Sequence, residues 1–205
     1  MKKIAIIDYG LGNLRSAKKG LEYASAEVIV TKDPEDIGSS DGVVLPGVGA
    51  FKGAMKNIKP LTNVLVEFIK DGKPLLGICL GMQMILSESE EGGTIKGLDI
   101  VPGKVKRFDE KKNLHIKIPH MGWNSISIKK EHPFLREIEE GSFVYFVHSY
   151  YVASYDKYIL TTTDYGNEFA SIVTNEGENV VGTQFHPEKS GAVGLRMLKN
   201  FVGMC

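Results

Sequence analysis

The spacing of apolar residues along the chain changes near residue 97. In the first half, four short apolar runs alternate with longer segments whose apolar residues have helical spacing. The runs predict buried strands at residues 4–7, 28–30, 43–45 and 75–78. Segments 13–24 and 61–70 are long enough for crossover helices. This half therefore predicts a parallel sheet that is covered by helices on both faces.

Beyond residue 97 the apolar runs are shorter and follow one another more closely, a pattern that predicts antiparallel strands. The predicted strands span residues 100–108, 114–118, 125–128, 143–152, 158–163, 170–174 and 180–185. An apolar stripe over residues 191–202 predicts a final helix that packs back on the sheet. Because the sequence has no linker or repeat, we expect residues 1–205 to form one α/β domain with a mostly parallel central sheet and an antiparallel part.

The composition limits the classes of partner. Hydrophobic residues make up 42% of the 205 residues and charged residues 24%, as in an ordinary globular protein that can bury a full core. The 25 basic residues balance 25 acidic ones, so net charge gives no reason to expect nucleic acid or an anionic membrane. No apolar run approaches the roughly 18 residues of a membrane span, and the first run is too short for a signal peptide. We expect neither nucleic acid nor a membrane as partner.

Cysteine and histidine spacing argues against a disulfide framework and against a metal site. The two cysteines, Cys79 and Cys205, form no paired motif, which favours a reducing cytoplasm as the setting. His115 and His120 stand five residues apart with no cysteine nearby, a spacing that fits no common metal site. Segment 10–15 imitates a dinucleotide-binding loop, but an arginine stands where that loop needs a small residue. We therefore expect no metal and no cofactor.

Cys79 is the strongest candidate for chemistry. It ends an apolar run and has a glycine two residues before it and another two residues after it, Gly77 and Gly81. This pattern is typical of a nucleophile elbow, in which a strand turns sharply into a helix and leaves the reactive side chain exposed. At the start of a helix, unpaired N–H groups favour the thiolate over the thiol. The spacing leaves an alternative open, because most lone cysteines are small buried hydrophobic residues.

A cysteine nucleophile needs a base, and His186 is the best placed of the five histidines. It follows a predicted strand and stands in the triplet His186, Pro187 and Glu188. Extended geometry puts residues 186 and 188 on one side of the chain, so Glu188 can orient the imidazole while the proline stiffens the turn. A His-x-Glu triplet also occurs as an ordinary surface pair, and this alternative stays open.

A glycine-containing loop, Pro-Gly-Val-Gly at residues 46–49, follows the predicted strand 43–45 and reaches the same edge of the sheet as Cys79. Its backbone N–H groups can stabilise the negative charge that develops on a carbonyl oxygen during acyl transfer. The alternative is a plain turn from strand to helix. Together with the elbow and the His-Pro-Glu triplet, however, the loop completes a set of groups suited to acyl transfer.

These three motifs, at residues 46–49, 77–83 (Gly-Ile-Cys-Leu-Gly-Met-Gln) and 186–188, resemble the triad (class I) glutamine amidotransferases. Three further stretches are similar to the glutaminase subunits of imidazole glycerol phosphate synthases within that family. They are residues 7–14 (Ile-Asp-Tyr-Gly-Leu-Gly-Asn-Leu), 119–124 (Pro-His-Met-Gly-Trp-Asn) and 145–150 (Tyr-Phe-Val-His-Ser-Tyr). The resemblance covers nearly the whole chain, and residues 119–124 are its most specific part. It implies a flavodoxin-like α/β fold.

The resemblance implies that the chain hydrolyses glutamine to glutamate and ammonia. Cys79 would attack the carboxamide carbon and form a thioester, His186 would carry the protons, and Glu188 would hold the imidazole. For the oxyanion hole, the resemblance implies Gly47, Val48, Gly49 and Leu80. For binding of the substrate's amino and carboxylate groups, it implies Gly47, Gln83, Glu91, Ser149 and Tyr150. Gln83 lies one helical turn after Cys79 and can face the same cavity, although a solvated position is the alternative.

The resemblance also implies a partner, a (β/α)8-barrel cyclase subunit that receives the ammonia within a heterodimer. That subunit would join the ammonia to a phosphoribulosyl-formimino nucleotide and release imidazole glycerol phosphate and an aminoimidazole carboxamide ribonucleotide, a step of histidine biosynthesis. Free ammonia is protonated at neutral pH and lost as a nucleophile, which gives a reason to join the two sites. The interface residues implied are Asn13, Trp123, Tyr145 and Lys189. Asn13 also fits the N-cap of the first helix, and Trp123 could be either an interface anchor or a core residue.

Two other functions compete with this interpretation. Another triad glutaminase, such as the one that serves pyridoxal phosphate synthase, is disfavoured by residues 119–124. A non-catalytic docking or regulatory subunit of the same fold is disfavoured by Cys79, His186 and Glu188, because folding does not require all three.

Overall fold

The computed structural model describes residues 1–109 and 116–205. Its helices are α1 (Leu14–Tyr23), α2 (Pro34–Ser39), α3 (Phe51–Ile58), α4 (Thr62–Lys70), α5 (Leu80–Met84) and α6 (Gly191–Met204). Its strands are β1 (Lys3–Ile7), β2 (Glu27–Thr31), β3 (Gly42–Leu45), β4 (Leu75–Ile78), β5 (Leu86–Ser89), β6 (Ile95–Lys96), β7 (Val101–Arg107), β8 (His120–Ser125), β9 (Ser127–Ile128), β10 (Phe143–His148), β11 (Tyr150–Ser154), β12 (Ile159–Asp164), β13 (Glu168–Thr174) and β14 (Val180–Thr183). No helix in the described ranges is long and apolar enough to cross a membrane.

Five parallel strands form the centre of the main sheet, in the order β2-β1-β3-β4-β14. The apolar runs of β1, β3, β4 and β14 are almost fully buried, as expected for strands covered on both faces, whereas Val30 in the edge strand β2 is 40% exposed. On one face, α1 and α6 contribute Leu21, Met197 and Phe201 to a hydrophobic cluster. On the other face, α2, α3 and α4 contribute Ile37, Phe51 and Phe68 to a second cluster. Each such side chain stabilises the fold by about 1.5–3 kcal/mol, so both layers are firmly attached.

The main sheet continues beyond β14 with largely antiparallel pairing. β13 pairs with β14, β11 and β12, and β11 pairs with β7, all antiparallel, whereas β5 runs parallel to β7. β8 and β10 form a separate antiparallel sheet, which we call the β8–β10 ribbon. The architecture confirms the predicted α/β class, with a mostly parallel central sheet, helices on both faces and an antiparallel part.

Most of the predicted elements are present with shifted ends, but several predictions were wrong. Residues 143–152 form two strands in different sheets, β10 and β11, because the chain breaks its pairing at Ser149. β14 pairs parallel with β4, although its half of the chain was expected to pair antiparallel. Helices α2 and α3, strands β5 and β6, and all of β8 except its last residue were not predicted. Of the predicted strand 114–118, residues 114 and 115 lie outside the described ranges, and residues 116–118 are not in a strand.

Asn13 caps the first helix, as its position before an apolar periodic segment predicted. Its side-chain oxygen accepts a hydrogen bond from the Ser16 N–H at 3.2 Å, which satisfies one of the helix's free donors. This hydrogen bond fixes the position of Asn13, the last residue of the loop before α1. This loop, residues 8–13, lies at the carboxyl end of β1, the sheet edge at which the candidate site also lies.

Candidate active site

Cys79 stands at the predicted sharp turn between β4 and α5. Its φ of 52° and ψ of −102° lie outside the usual regions for a residue with a side chain. The flanking glycines make the turn possible, since a Cβ on Gly77 would lie 2.7 Å from the backbone of Gly81, and a Cβ on Gly81 would collide with the Leu45 carbonyl. The glycines are therefore required by close backbone approach rather than by flexibility.

The predicted exposure of the thiol was wrong, because Cys79 is only 6% exposed. The residue instead borders a cavity of about 310 Å³ at the carboxyl edge of the sheet. Eight of the residues named from the sequence line this cavity: Val48, Gly49, Cys79, Leu80, Gln83, Glu91, Ser149 and Tyr150. Pro119, Val147 and His148 complete its wall. The cavity is large enough for a small polar substrate.

His186 and Glu188 form a buried pair next to Cys79. The His186 Nδ1 and the Glu188 Oε1 are 2.8 Å apart, and the two side chains are 2% and 3% exposed, so this is not a surface pair. The His186 Nε2 is buried and has no hydrogen-bond partner among the described residues. Burial alone would lower the pKa of His186, but the nearby Cys79 sulfur and the Glu188 carboxylate outweigh it and raise the pKa to about 9.

The loop of residues 46–49, which we call the oxyanion loop, presents a carbonyl rather than an N–H group to the elbow. The Leu80 N–H donates a weak hydrogen bond to the Gly47 carbonyl oxygen at 3.5 Å. In a trans peptide the C=O and N–H bonds point in opposite directions, so the Val48 N–H points away from Leu80. Of the four residues named for an oxyanion hole, Leu80 has its N–H occupied in this conformation and Val48 has its N–H turned away.

Gln83 is 5% exposed and borders the cavity, so it is not a solvated helix residue. Its Nε2 donates to the Tyr150 carbonyl at 3.2 Å and to the Gln184 Oε1 at 3.3 Å. With the amide N–H groups engaged, its Oε1 is left to act as an acceptor. Glu91 Oε2 accepts a hydrogen bond at 3.2 Å from the N–H of Phe51, the first residue of α3, and burial raises the pKa of Glu91.

Gln184 is a site residue that sequence reasoning missed. It is fully buried, and its Nε2 donates to the Cys79 Sγ at 3.7 Å. A hydrogen-bond donor on sulfur favours the thiolate. The sequence did hold a signal, because Gln184 precedes His186 by two residues and alternate residues of an extended chain share a side.

A second histidine pair lies at the back of the cavity. The His148 Nδ1 is 2.7 Å from the Tyr150 carbonyl, to which it must donate, so its Nε2 accepts the hydrogen bond from the His120 Nδ1 at 3.0 Å. Burial lowers the pKa of His148 to about 3 and that of His120 to about 4. Both rings are neutral at neutral pH, which leaves His186 as the cationic imidazole of this site.

The exposed face of the β8–β10 ribbon is apolar. Trp123 and Tyr145 are cross-strand partners whose rings meet edge to face at 6.0 Å. Trp123 is 56% exposed, so it is not a core residue, and Met121 and Phe143 on the same ribbon are exposed as well. The Tyr145 N–H donates to the Ser190 side chain at 3.0 Å, which brings Lys189 close to the ribbon. Trp123, Tyr145 and Lys189 thus share one surface. The fourth residue predicted at the interface, Asn13, caps α1, and this helix packs against residues 187–189.

The described residues contain no group of histidine, cysteine and acidic side chains that could hold a metal ion. His115 lies outside the described residues, and His120 bonds to His148 and Asn124. The groups that the structure brings together at Cys79 are a thiol, an imidazole, a carboxylate and backbone amides. This set is suited to nucleophilic acyl transfer.

Comparison with known proteins agrees with a site for acyl transfer. The family model "Glutamine amidotransferase class-I" matches residues 5–204. The "Imidazole glycerol phosphate synthase subunit HisH" of Methanosarcina acetivorans is 55% identical over 205 residues, with 100% of both chains covered. Subunits of the same name from Archaeoglobus fulgidus and Geobacter sulfurreducens are 51% and 48% identical, with 98% of each chain covered.

Solved structures resemble the fold at much lower identity. A structure of PurLQS from Thermotoga maritima gives a TM-score of 0.76 at 20% identity and covers 99% of both chains. A glutamine amidotransferase from the same organism gives a TM-score of 0.63 at 19% identity, with 91% of this chain and 76% of that one covered. At this identity the likeness bears on the fold alone.

Proposed function

This chain belongs to the class I glutamine amidotransferase family and, within it, to the HisH subunits of imidazole glycerol phosphate synthase, and from this premise we propose that Cys79 is its glutamine-hydrolysing nucleophile. The observation that carries the proposal is the buried His186 and Glu188 pair beside the elbow cysteine at the cavity wall. A His186 pKa of about 9 keeps the imidazole cationic at neutral pH, and a cation beside a cysteine sulfur favours attack as the thiolate. The nucleophile is then ready before the substrate arrives.

The first half-reaction forms a thioester. The Cys79 sulfur bonds to the carboxamide carbon of glutamine, and the carbonyl π electrons move onto oxygen. His186 gives its proton to the amide nitrogen, the C–N bond breaks, and ammonia leaves as the oxygen's electrons re-form the carbonyl. Glu188 holds the imidazole in position through the 2.8 Å hydrogen bond to Nδ1. Gln184 supports the thiolate that leaves in the second half-reaction.

The second half-reaction releases glutamate. A water molecule gives a proton to His186 and adds its oxygen to the thioester carbon, after which the C–S bond breaks and the thiolate returns. Gln83, Glu91, Ser149 and Tyr150 would hold the amino and carboxylate groups of the substrate. In this set the Gln83 Oε1 and the Glu91 carboxylate are acceptors that suit the ammonium group, because both Gln83 N–H groups already have partners.

Catalysis requires a rotation of the Gly47–Val48 peptide. With the Gly47 carbonyl on the Leu80 N–H, an oxyanion beside Cys79 would meet another oxygen instead of a donor. Turning this peptide would free the Leu80 N–H and aim the Val48 N–H at the same point. We therefore propose that the described conformation is a resting form with low glutaminase activity.

The apolar face of the β8–β10 ribbon is the proposed docking surface for the synthase partner. The family assignment implies a heteromeric complex with a synthase partner, and we propose that the partner is a (β/α)8-barrel cyclase that receives the ammonia. The exposed Trp123 and the half-buried Tyr145 supply an aromatic pair of the kind that anchors interfaces, with Asn13 and Lys189 at the margin. A single domain of 205 residues and a cytoplasmic setting stay predictions.

The test is glutamate production from glutamine with and without the cyclase and its nucleotide ligand. Cys79→Ala should lose about 1,000-fold or more in kcat, because the other cysteine, Cys205, does not line the cavity. Cys205→Ala is the matched control and should keep the wild-type rate. Wild-type turnover by Cys79→Ala would refute the assignment of the nucleophile. Size-exclusion chromatography should show a one-to-one complex with the cyclase, and persistent failure to associate would refute the assignment of the partner.

A further inference from the structure

The Tyr9 hydroxyl donates a hydrogen bond to the carbonyl of Pro46, the first residue of the oxyanion loop. The Tyr9 side chain is 5% exposed, and its hydroxyl lies 2.9 Å from the position that a Cβ on Gly47 would occupy. Burial and the proximity of Cys79 raise the pKa of Tyr9, so the hydroxyl keeps its proton for this bond. Neither half-reaction proposed for glutamine hydrolysis involves this phenol.

Two further contacts join the Tyr9 loop, residues 8–13, to the oxyanion loop. A Cβ on Gly12 would lie 3.4 Å from the Gly47 nitrogen and from the Pro46 carbonyl carbon, so the two backbones pack directly on each other. A Cβ on Gly49 would lie 3.3 Å from the Leu11 side chain. The oxyanion loop therefore rests on the Tyr9 loop at Pro46, Gly47 and Gly49.

The Tyr9 loop is itself anchored at both ends. The Tyr9 carbonyl accepts a hydrogen bond from the Asn57 Nδ2 at 2.9 Å, which ties it to helix α3. At the other end, Asn13 caps α1. A group held in this way can hold another segment in place, because its own position is already determined.

We infer that Tyr9 is a positioning residue for the oxyanion loop: its hydroxyl fixes the Pro46–Gly47 peptide, so that the turn which brings the Val48 N–H towards Cys79 is confined to the next peptide. The inference rests on the proposed glutaminase function and adds a residue to its machinery. Without the hydroxyl, the Pro46 carbonyl loses its donor, and the loop gains orientations in which the Val48 N–H misses the oxyanion.

The proposed role of Tyr9 affects the chemical step and not the binding of glutamine. The hydroxyl acts on a donor that matters when negative charge develops on the substrate oxygen, so its loss should lower kcat and leave KM almost unchanged. An aldehyde analogue of glutamine, the γ-semialdehyde of glutamate, adds to a thiol and carries that negative charge. Its affinity reports on the oxyanion donors independently of turnover, whereas the affinity for glutamate does not.

The experiment compares Tyr9→Phe with wild type in the complete complex of glutaminase and cyclase with the nucleotide bound. We expect kcat for glutamine hydrolysis to fall about tenfold, less than the roughly 100- to 1,000-fold loss of an oxyanion donor itself. The inhibition constant of the aldehyde should rise by a similar factor, while KM and glutamate affinity change less than about twofold. Tyr158→Phe, which removes the hydroxyl of another buried tyrosine, is the matched control and should change none of these values.

The outcomes separate this inference from the proposed function. Unchanged kcat and aldehyde affinity in Tyr9→Phe would overturn the role of Tyr9, as would a raised KM at constant kcat, and either leaves Cys79 as nucleophile. A wild-type complex that does not hydrolyse glutamine would overturn the proposed function and this inference with it. If Tyr9→Phe does not fold, Asn57→Ala takes its place, because it loosens the Tyr9 loop from an exposed position. It should give the same pattern at about threefold, and an unchanged kcat there would overturn the inference.

Discussion

Replacing Glu188 with glutamine should lower the pKa of His186 substantially. Glu188→Gln keeps the shape of the side chain and an acceptor oxygen for the His186 Nδ1–H, but it removes the negative charge 2.8 Å away. A hydrogen bond to a charged group contributes about 1.5–3 kcal/mol at buried sites. At about 1.36 kcal/mol for each pKa unit, the pKa should fall by about 1–2 units. The expected midpoint moves from about 9 in the wild type to about 7–8 in the variant.

The assay is an NMR titration of the isolated subunit with isotope-labelled histidine, with His186→Gln used to assign the signal. His120, His132 and His148 have pKa values lowered chiefly by burial, so among the described residues only His186 titrates near pH 9. The control for the loss of a carboxylate is Glu137→Gln, which breaks a surface ion pair and should leave the His186 midpoint in place. A midpoint in Glu188→Gln within about 0.3 units of wild type would refute the electrostatic account of this pair.

The raised pKa of His186 also makes the free energy of unfolding depend on pH. The pKa of His186 is raised in the folded state, so its stabilisation is fully present below pH 6.5 and is lost as pH rises through about 9. The contribution is on the order of 3 kcal/mol. In urea titrations, the wild-type free energy of unfolding should fall over this window relative to Glu188→Gln. Parallel pH profiles of the two proteins would contradict the linkage.

Three further predictions concern the surface, the elbow and the sulfur. Trp123→Ala should weaken binding of the cyclase by about 10- to 100-fold in calorimetry, as loss of an aromatic anchor does. Tyr155→Ala, at an exposed aromatic residue outside the ribbon, should leave binding unchanged. Gly81→Ala should lower the free energy of unfolding by about 2 kcal/mol or more in urea, because the new methyl group collides with backbone, whereas Gly38→Ala, where nothing lies within 4 Å, should not. Gln184→Met removes the N–H donor on the nucleophile's sulfur and should lower kcat about tenfold, with slower alkylation of that thiol by iodoacetamide at pH 7; an unchanged alkylation rate would contradict the contact.

The parallel half of the fold was predictable because each strand is short, continuous and apolar. The run at residues 75–78 predicted β4 with both ends correct, since glycine and cysteine mark where it must turn. The prediction of a single strand at residues 143–152 was wrong for an equally physical reason. Apolar alternation continues through both β10 and β11, and only long-range pairing with β8 and with β7 reveals that the chain changes sheets at Ser149.

The arrangement of the candidate site could be predicted where neighbouring residues of one motif determine how their side chains are placed. Residues 186 and 188 share a side in any extended chain, and the structure indeed brings their side chains to 2.8 Å. Gln184 and Tyr9 were not found, because each acts on a partner distant in sequence, the Cys79 sulfur and the Pro46 carbonyl. A glutamine in a strand and a tyrosine in a loop have no pattern of their own that indicates such a contact.

The motif at residues 46–49 predicted backbone N–H groups that could stabilise an oxyanion, but it could not predict which way these groups point in the structure. Gly47 has a glycine's freedom and Gly49 has a φ of 138°, so this segment can hold its central peptide in either orientation. The orientation in the structure is held by a long hydrogen bond, 3.5 Å from the Leu80 N–H to the Gly47 carbonyl, and a bond of this length contributes little. The turned orientation proposed above gives up only this weak bond, so a contact that favours the turned orientation can shift the loop to it. The Pro-Gly-Val-Gly sequence is the same in both orientations, so the choice between them must come from the Tyr9 loop and from whatever binds beside it.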